Sequence, residues 1–189
     1  YADNDALTLG AKYRLGTLSN VGAEFTTGDR GDSAQANAEI EIGKDHTLYG
    51  AYTYSTDRTA YDPLFNPRSS NGLTIGQKWR PSSKVNLFNE SQYLKAPESQ
   101  GLSHTYGMDF YPGQGWNLGF TTQVGKLERD IAGGGVSRVD RHAFSVSGGF
   151  TSARAQWQSK LEWRKDTGAE RREQRVTTNQ MGYKVNESL

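Results

Sequence analysis

The sequence predicts an all-β protein, an antiparallel transmembrane β-barrel wound as a meander of hairpins, and three observations carry that prediction. Apolar and polar residues alternate with a period of two along most of the chain. No window sustains the i, i+3, i+4 apolar spacing of an amphipathic helix. The apolar supply is also small for a protein rich in strand formers: 34% of 189 residues, at a mean hydropathy of −0.79.

Strand by strand, Leu7, Leu9, Ala11, Tyr13 and Leu15 alternate with Thr8, Gly10, Lys12 and Arg14. Val21, Ala23 and Phe25 oppose Gly22, Glu24 and Thr26, and Ala36, Ala38, Ile40 and Ile42 oppose Asn37, Glu39 and Glu41. Leu48, Tyr52 and Tyr54 share a face with Gly50, and Leu73, Ile75 and Trp79 alternate with Thr74, Gly76, Lys78 and Arg80. Val85, Leu87 and Tyr93 lie beside Asn89 and Ser91, a weaker pattern, followed by Tyr106, Met108 and Phe110 against Thr105, Gly107 and Asp109. Trp116, Leu118, Phe120 and Val124, then Phe144, Val146 and Phe150, then Trp157, Leu161 and Trp163 complete the strong segments, and Met181, Tyr183 and Val185 form a last one beside Asn179. These segments make roughly eleven strands of about ten residues, the length that crosses a bilayer obliquely.

The connections are expected to alternate in length. Short ones with turn chemistry fall at 16–19, 44–47, 81–83, 112–115 and 151–154, and long ones at 29–33, 57–71, 95–101, 130–138 and 166–173. Hairpins restart near Ala6, Ala34, Gly72, Leu102 and His142, a loose internal repeat. Short turns at one end and long loops at the other are the connectivity of an outer-membrane barrel, with the long loops extracellular.

Water does not suit this pattern. Lys12, Arg14, Glu24, Glu39, Glu41, Lys78, Arg80, Glu90, Asp109, Lys160, Glu162, Arg164 and Lys184 occupy the polar face. Such a set cannot line a dry sandwich core, because each charge needs water or a partner. A closed cylinder turns it toward a wet lumen, turns the apolar face toward lipid, and removes unpaired strand edges. The mixed signs, such as Arg14 near Glu24 and Lys160 near Glu162, predict either cross-strand salt-bridge ladders or a screened pore without strong ion preference. Tyr13, Tyr52, Tyr54, Trp79, Tyr93, Trp116, Trp157, Trp163 and Tyr183 fall toward strand ends on the apolar face and form an expected aromatic girdle. The partners implied are the lipid bilayer of a Gram-negative outer membrane with its lipopolysaccharide, and an extracellular or periplasmic protein partner.

An odd strand count with a chain start on the loop side points to a segment of a larger barrel, whose remaining strands or domains belong to the same polypeptide. The segments Asp45-His46-Thr47-Leu48-Tyr49-Gly50, Gly72-Leu73-Thr74-Ile75-Gly76-Gln77-Lys78, Phe88-Asn89-Glu90, Gly101-Leu102-Ser103-His104-Thr105-Tyr106-Gly107-Met108-Asp109-Phe110, Gly115-Trp116 and Thr177-Thr178-Asn179 resemble the barrel-forming C-terminal region of large proteobacterial outer-membrane or surface proteins. That resemblance implies the same location and fold, with a barrel that continues beyond this stretch, and implies no particular chemistry.

Other functions find little support. A formal charge of +1, from 22 basic and 21 acidic residues, provides no field to gather nucleic acid. Zero cysteines exclude thiolate sites and thiol nucleophiles, and no apolar run is long enough for a transmembrane helix. His46 in a short turn, His104 on a strand and His142 at a strand start do not have metal-ligand spacing, and neither metal nor cofactor is expected. Ser103 and His104 are sequence neighbours, so strand geometry points them to opposite faces. Asp140 and His142 can share a face near the outer rim, which leaves a barrel enzyme as an alternative. Arg30-Gly31-Asp32-Ser33 matches an integrin-binding tripeptide, leaving a surface adhesin as another, although turn chemistry alone produces such a loop. Gly133-Gly134-Gly135 lacks the Lys-Ser/Thr and helix of a phosphate cradle. A non-enzymatic pore, translocation conduit or membrane anchor is the expectation that uses the whole pattern.

Overall fold

Each alternating segment becomes a strand, and each strand pairs with its neighbours in sequence. The structure, a computed structural model, describes residues 5–16, 19–29, 31–56, 71–96 and 98–185. The strands are β1 (Ala6–Leu15), β2 (Ser19–Gly28), β3 (Gly31–Ile42), β4 (His46–Ser55), β5 (Asn71–Ser82), β6 (Val85–Ala96), β7 (Ser99–Gly113), β8 (Trp116–Asp130), β9 (Val136–Thr151), β10 (Ala155–Gly168) and β11 (Arg172–Tyr183). They form one 11-stranded antiparallel sheet in the order β1 to β11, and no helix occurs among the described residues. Among those residues β1 and β11 share no ladder.

Register keeps the two faces separate along the whole sheet. Leu9 pairs with Phe25, Phe25 with Ala34, Tyr52 with Leu73, Leu73 with Tyr93, Met108 with Phe120, Phe120 with Val146 and Trp157 with Met181. One residue along, Lys12 pairs with Gly22, Gly76 with Glu90, Asp109 with Gly119 and Arg141 with Asp166. A slip of one residue anywhere would mix the sets.

Burial shows which way the sheet curls. Gly72, Gly76, Leu94, Gly101, Gly119, Val139, Gly149 and Asp166 are buried, and the register puts all of them on the charged face. Gln92 of β6 and Arg164 of β10 line one cavity on that face. Four ladders separate their strands, about 19 Å if the sheet were flat, so the charged face is concave. The large apolar side chains stand exposed on the convex face, including Leu9 (67%), Ile75 (57%) and Phe120 (41%). This is the reverse of a water-soluble sheet.

Inside the curve, aromatic rings lie over glycines. A Cβ on Gly76 would meet the Tyr49 ring and the carbonyl oxygen of Asn89 at 2.8 Å, and one on Gly107 would meet the Phe88 ring. The rings fill the space that the missing side chains leave, and Tyr49 Oη donates to Glu90 Oε2 at 2.8 Å.

Four of the five predicted turns hold at one end, residues 17 and 18 of the fifth lying outside the described residues, and most of the predicted loops are shorter than expected at the other. Turns at 43–45, 83–84, 114–115 and 152–154 are tight; Gln114 (φ 54°) and Gly115 (φ 82°) both adopt the left-handed region that a two-residue hairpin requires. Pro81 and Pro112 lie in register shifts before their turns, where a missing N–H breaks no ladder. At the opposite end β3 already begins at Gly31, β7 at Ser99, β9 at Val136 and β11 at Arg172. Most of the expected long loops are therefore partly strand, 131–135 stays a loop, and the expected loop at 57–71 lies outside the described residues apart from Asn71, which opens β5. Ladder hydrogen bonds form in water as well as in lipid, so polar residues there mark the end of the apolar belt and not the end of the strand.

A candidate solute wall on the concave face

The concave face gathers the predicted charges onto one wall. Lys12 and Arg14 of β1 lie opposite Gly22 and Asn20, Glu24 opposite Gly10 and Gln35, Glu39 opposite Asn20 and Tyr49, and Glu41 opposite Thr47. Lys78 Nζ stands 5.1 Å from the centre of the Tyr49 ring. Arg80 Nε donates to Asn86 Oδ1 at 3.0 Å, Glu90 accepts from Tyr49, and Asp109 lies opposite Asn86 and Gly119. Lys160 and Glu162 pair at 2.9 Å, and Arg164 lies opposite Ala143 and Gln174. Lys184 follows β11, where its N–H donates to the Arg154 carbonyl at 2.9 Å.

Charge ladders are not what joins them. Arg14 and Glu24 do not meet, because the hairpin sets Asn20 opposite Arg14 and Gly10 opposite Glu24. Lys160 and Glu162 pair along one strand and not across two. Among the described residues no ion pair involves the wall charges of β1 to β7. They face the concavity, where Lys78, Arg80 and Glu90 meet the neutral partners Tyr49 and Asn86.

The strongest contact on the wall involves residues that the sequence pattern does not single out for it. Arg141 of β9 reaches across to Asp166 of β10 through Nε to Oδ1 at 2.8 Å and Nη2 to Oδ2 at 2.9 Å. Asp166 retains only 8% side-chain exposure and Arg141 20%, so this two-pronged pair is held away from bulk water. Arg141 and Arg164 also line a cavity of about 260 Å³ with Gln92, Ser103, Gln123 and Glu162. Arg141 has the same strand parity as Ala143 and Ser145, a signal available in sequence once β9 is extended far enough. Signs are unevenly spread: Glu24, Glu39 and Glu41 make β2 and β3 acidic, whereas Arg141, Lys160, Arg164 and Arg172 outnumber Glu162 and Asp166 on β9 to β11.

On the convex face the predicted aromatic residues form two bands. Tyr13, Trp79, Trp116, Trp157 and Tyr183 lie toward the tight turns, and Tyr52, Tyr54, Tyr93 and Trp163 toward the other end. Trp116 packs on Phe150 at 5.0 Å and edge-on to Trp157 at 6.5 Å. On β10, Trp157 and Trp163 are about 20 Å apart along the strand at the usual rise. Beyond the second band the same face becomes charged, with Lys126, Glu128, Arg138, Asp140 and Lys165. There Glu128 accepts from Gln100 Nε2 and from Arg138 Nε, each at 2.9 Å, and these bonds, the Gln100 one first, hold its carboxyl below the usual carboxylate range.

The remaining motif residues are divided between the two faces of the sheet. Ser103 and His104 point to opposite faces, as strand geometry requires, and His104 Nδ1 instead meets Ser91 Oγ at 2.8 Å. Asp140 and His142 share the convex face, opposite Lys126 and Val124; His142 lies well inside β9 and not at its start. His46 opens β4 and is not in the turn, and its Nε2 meets Gln77 Oε1 at 2.9 Å. Among the described residues no group of three or more His, Cys, Asp or Glu is placed to hold a metal ion. Arg30 lies outside the described residues, while Gly31, Asp32 and Ser33 belong to β3, where the Asp32 N–H donates to Thr56 Oγ1 at 2.7 Å.

No family model and no curated protein sequence matches the chain. Solved structures do. A porin, NanC, superposes with a TM-score of 0.56 at 8% identity, over 96% of this chain and 94% of the porin. The fold is that of the outer-membrane β-barrels. The ferric citrate transporter FecA, in its unliganded form, superposes with a TM-score of 0.50 at 11% identity, over 98% of this chain and 40% of the transporter. In such a barrel the concave face is the inner wall and the convex face the outer one.

Proposed function

We propose that this barrel is a passive pore of a bacterial outer membrane, conducting small hydrophilic solutes through a water-filled lumen, with the end where β8 gives way to β9 through 131–135 facing outside. The observation that carries this reading is the inversion of the faces: charged and buried groups share the concave side while large apolar side chains are exposed on the convex side. Hydrocarbon satisfies the second face and water the first. The porin and transporter superpositions support the same reading at the level of fold, and longer connections on the outside are the habit of such barrels. Because hydrocarbon tolerates no open edge, the reading requires β1 and β11 to be paired in the membrane.

The mechanism is hydration and screening. Wall charges turned toward the concavity keep the lumen wet, and the acidic β2–β3 and basic β9–β11 sectors bias which ions and dipoles pass. Single-channel recording of the full chain in planar bilayers tests this. Discrete conductance steps are expected, and joint substitution Glu24→Gln, Glu39→Gln and Glu41→Gln should move the cation-to-anion permeability ratio toward anions by about twofold or more. Insertion without steps would instead make the protein an anchor, and steps with unchanged selectivity would remove β2–β3 from the lumen.

A further inference from the structure

The convex face is not apolar throughout. On β1 and β2 it presents Leu7, Leu9, Ala11, Tyr13, Val21, Ala23 and Phe25. On β5 to β7 it carries Gln77 opposite Asn89 and Ser91 opposite His104. Gln77 lies two residues inside Trp79, and Ser91 two residues inside Tyr93, so this polar patch sits between the two aromatic bands. Part of it is satisfied internally, by His46 Nε2 on Gln77 Oε1 at 2.9 Å and by Ser91 Oγ on His104 Nδ1 at 2.8 Å. Among the described residues, the Gln77 amide nitrogen and both ends of the Asn89 amide have no side-chain partner. Acyl chains offer them none.

We propose that this face of β4 to β7 is an interface, within the membrane, with a second copy of the same chain. The inference rests on the convex face being the lipid-facing one. Headgroup phosphates and sugars lie at the level of the aromatic bands, so at the depth of Gln77 and Asn89 only another protein wall can supply hydrogen-bonding groups. The patch holds no Asp, Glu, Lys or Arg, and each primary amide both donates and accepts. Gln77 and Asn89 stand side by side at one level, so a two-fold axis along the membrane normal brings each against the other residue of the facing copy, an isologous contact. His46, Trp79, Leu87 and Tyr106 border a depression of about 420 Å³ beside the amides, which gives room for a projecting side chain from that copy.

With no native cysteine, single cysteines report cleanly on this surface. In the full chain in its membrane, Asn89→Cys should oxidise to a disulfide-linked pair of twice the chain mass, while Ala23→Cys, on the apolar side of the belt, should stay single. Bimane at residue 23 should be quenched by doxyl-labelled lipid, and bimane at residue 89 should be protected. Asn89→Leu should keep the heat-modifiable mobility of a folded barrel and lose the paired mass. Quenching at both positions without cross-linking, a cross-link to a different protein, or a paired mass that survives Asn89→Leu would each overturn the proposal. Absence of quenching at residue 23 would overturn the lipid-facing assignment itself.

Discussion

Phe120→Arg lowers the folding free energy of the barrel in a bilayer by about 2–4 kcal/mol, the cost of a cation on the lipid face near the midplane, while Thr121→Arg is nearly neutral. The two residues are sequence neighbours on opposite faces: Phe120 lies among Met108 and Val146, and Thr121 between Gly107 and Ser145. Phe120 is 41% exposed, so on a water-soluble protein the same substitution would cost little. Urea titration of the protein folded in liposomes checks the contrast. Equal tolerance at the two positions would mean that neither face meets hydrocarbon.

The second large effect belongs to Asp166→Ala. Removing the carboxylate leaves Arg141 in a position with 20% side-chain exposure, and breaking a pair held this far from water costs about 3 kcal/mol. The double substitution Arg141→Met with Asp166→Leu should cost less than Asp166→Ala alone, because it removes the guanidinium together with the carboxylate that it pairs with. The same titration measures both, and a double variant worse than the single would show that the pair is not what anchors β9 to β10.

Period-two alternation makes the two faces legible in the sequence, because side-chain direction on a strand depends only on parity. It places Phe120 outward, Glu24 inward and the tryptophans on the outer face. Strand ends are not legible in the same way. Gly31, Val136 and Asp166 lie in polar stretches that look like loops, yet the ladder continues through them because backbone pairing needs no apolar side chain. Partners are also hidden. Arg14 and Glu24 share a wall, but the turn geometry, which parity does not encode, sets Asn20 opposite Arg14. The Arg141–Asp166 pair is obscured for both reasons, since in sequence one residue reads as rim and the other as loop. Asn89 and Ser91 make their strand look weak, and in the structure they are polar residues on the convex face between the two aromatic bands.

Single cysteines at Phe120, Thr121, Thr122, Gln123 and Val124 would test the inversion of faces most directly. A membrane-impermeant thiol reagent should label Thr121→Cys and Gln123→Cys from the aqueous side, while probes at Phe120, Thr122 and Val124 should be quenched by doxyl-labelled lipid. Aqueous labelling at the even positions, or no alternation along the stretch, would contradict a barrel whose charged side encloses water and whose apolar side faces the membrane.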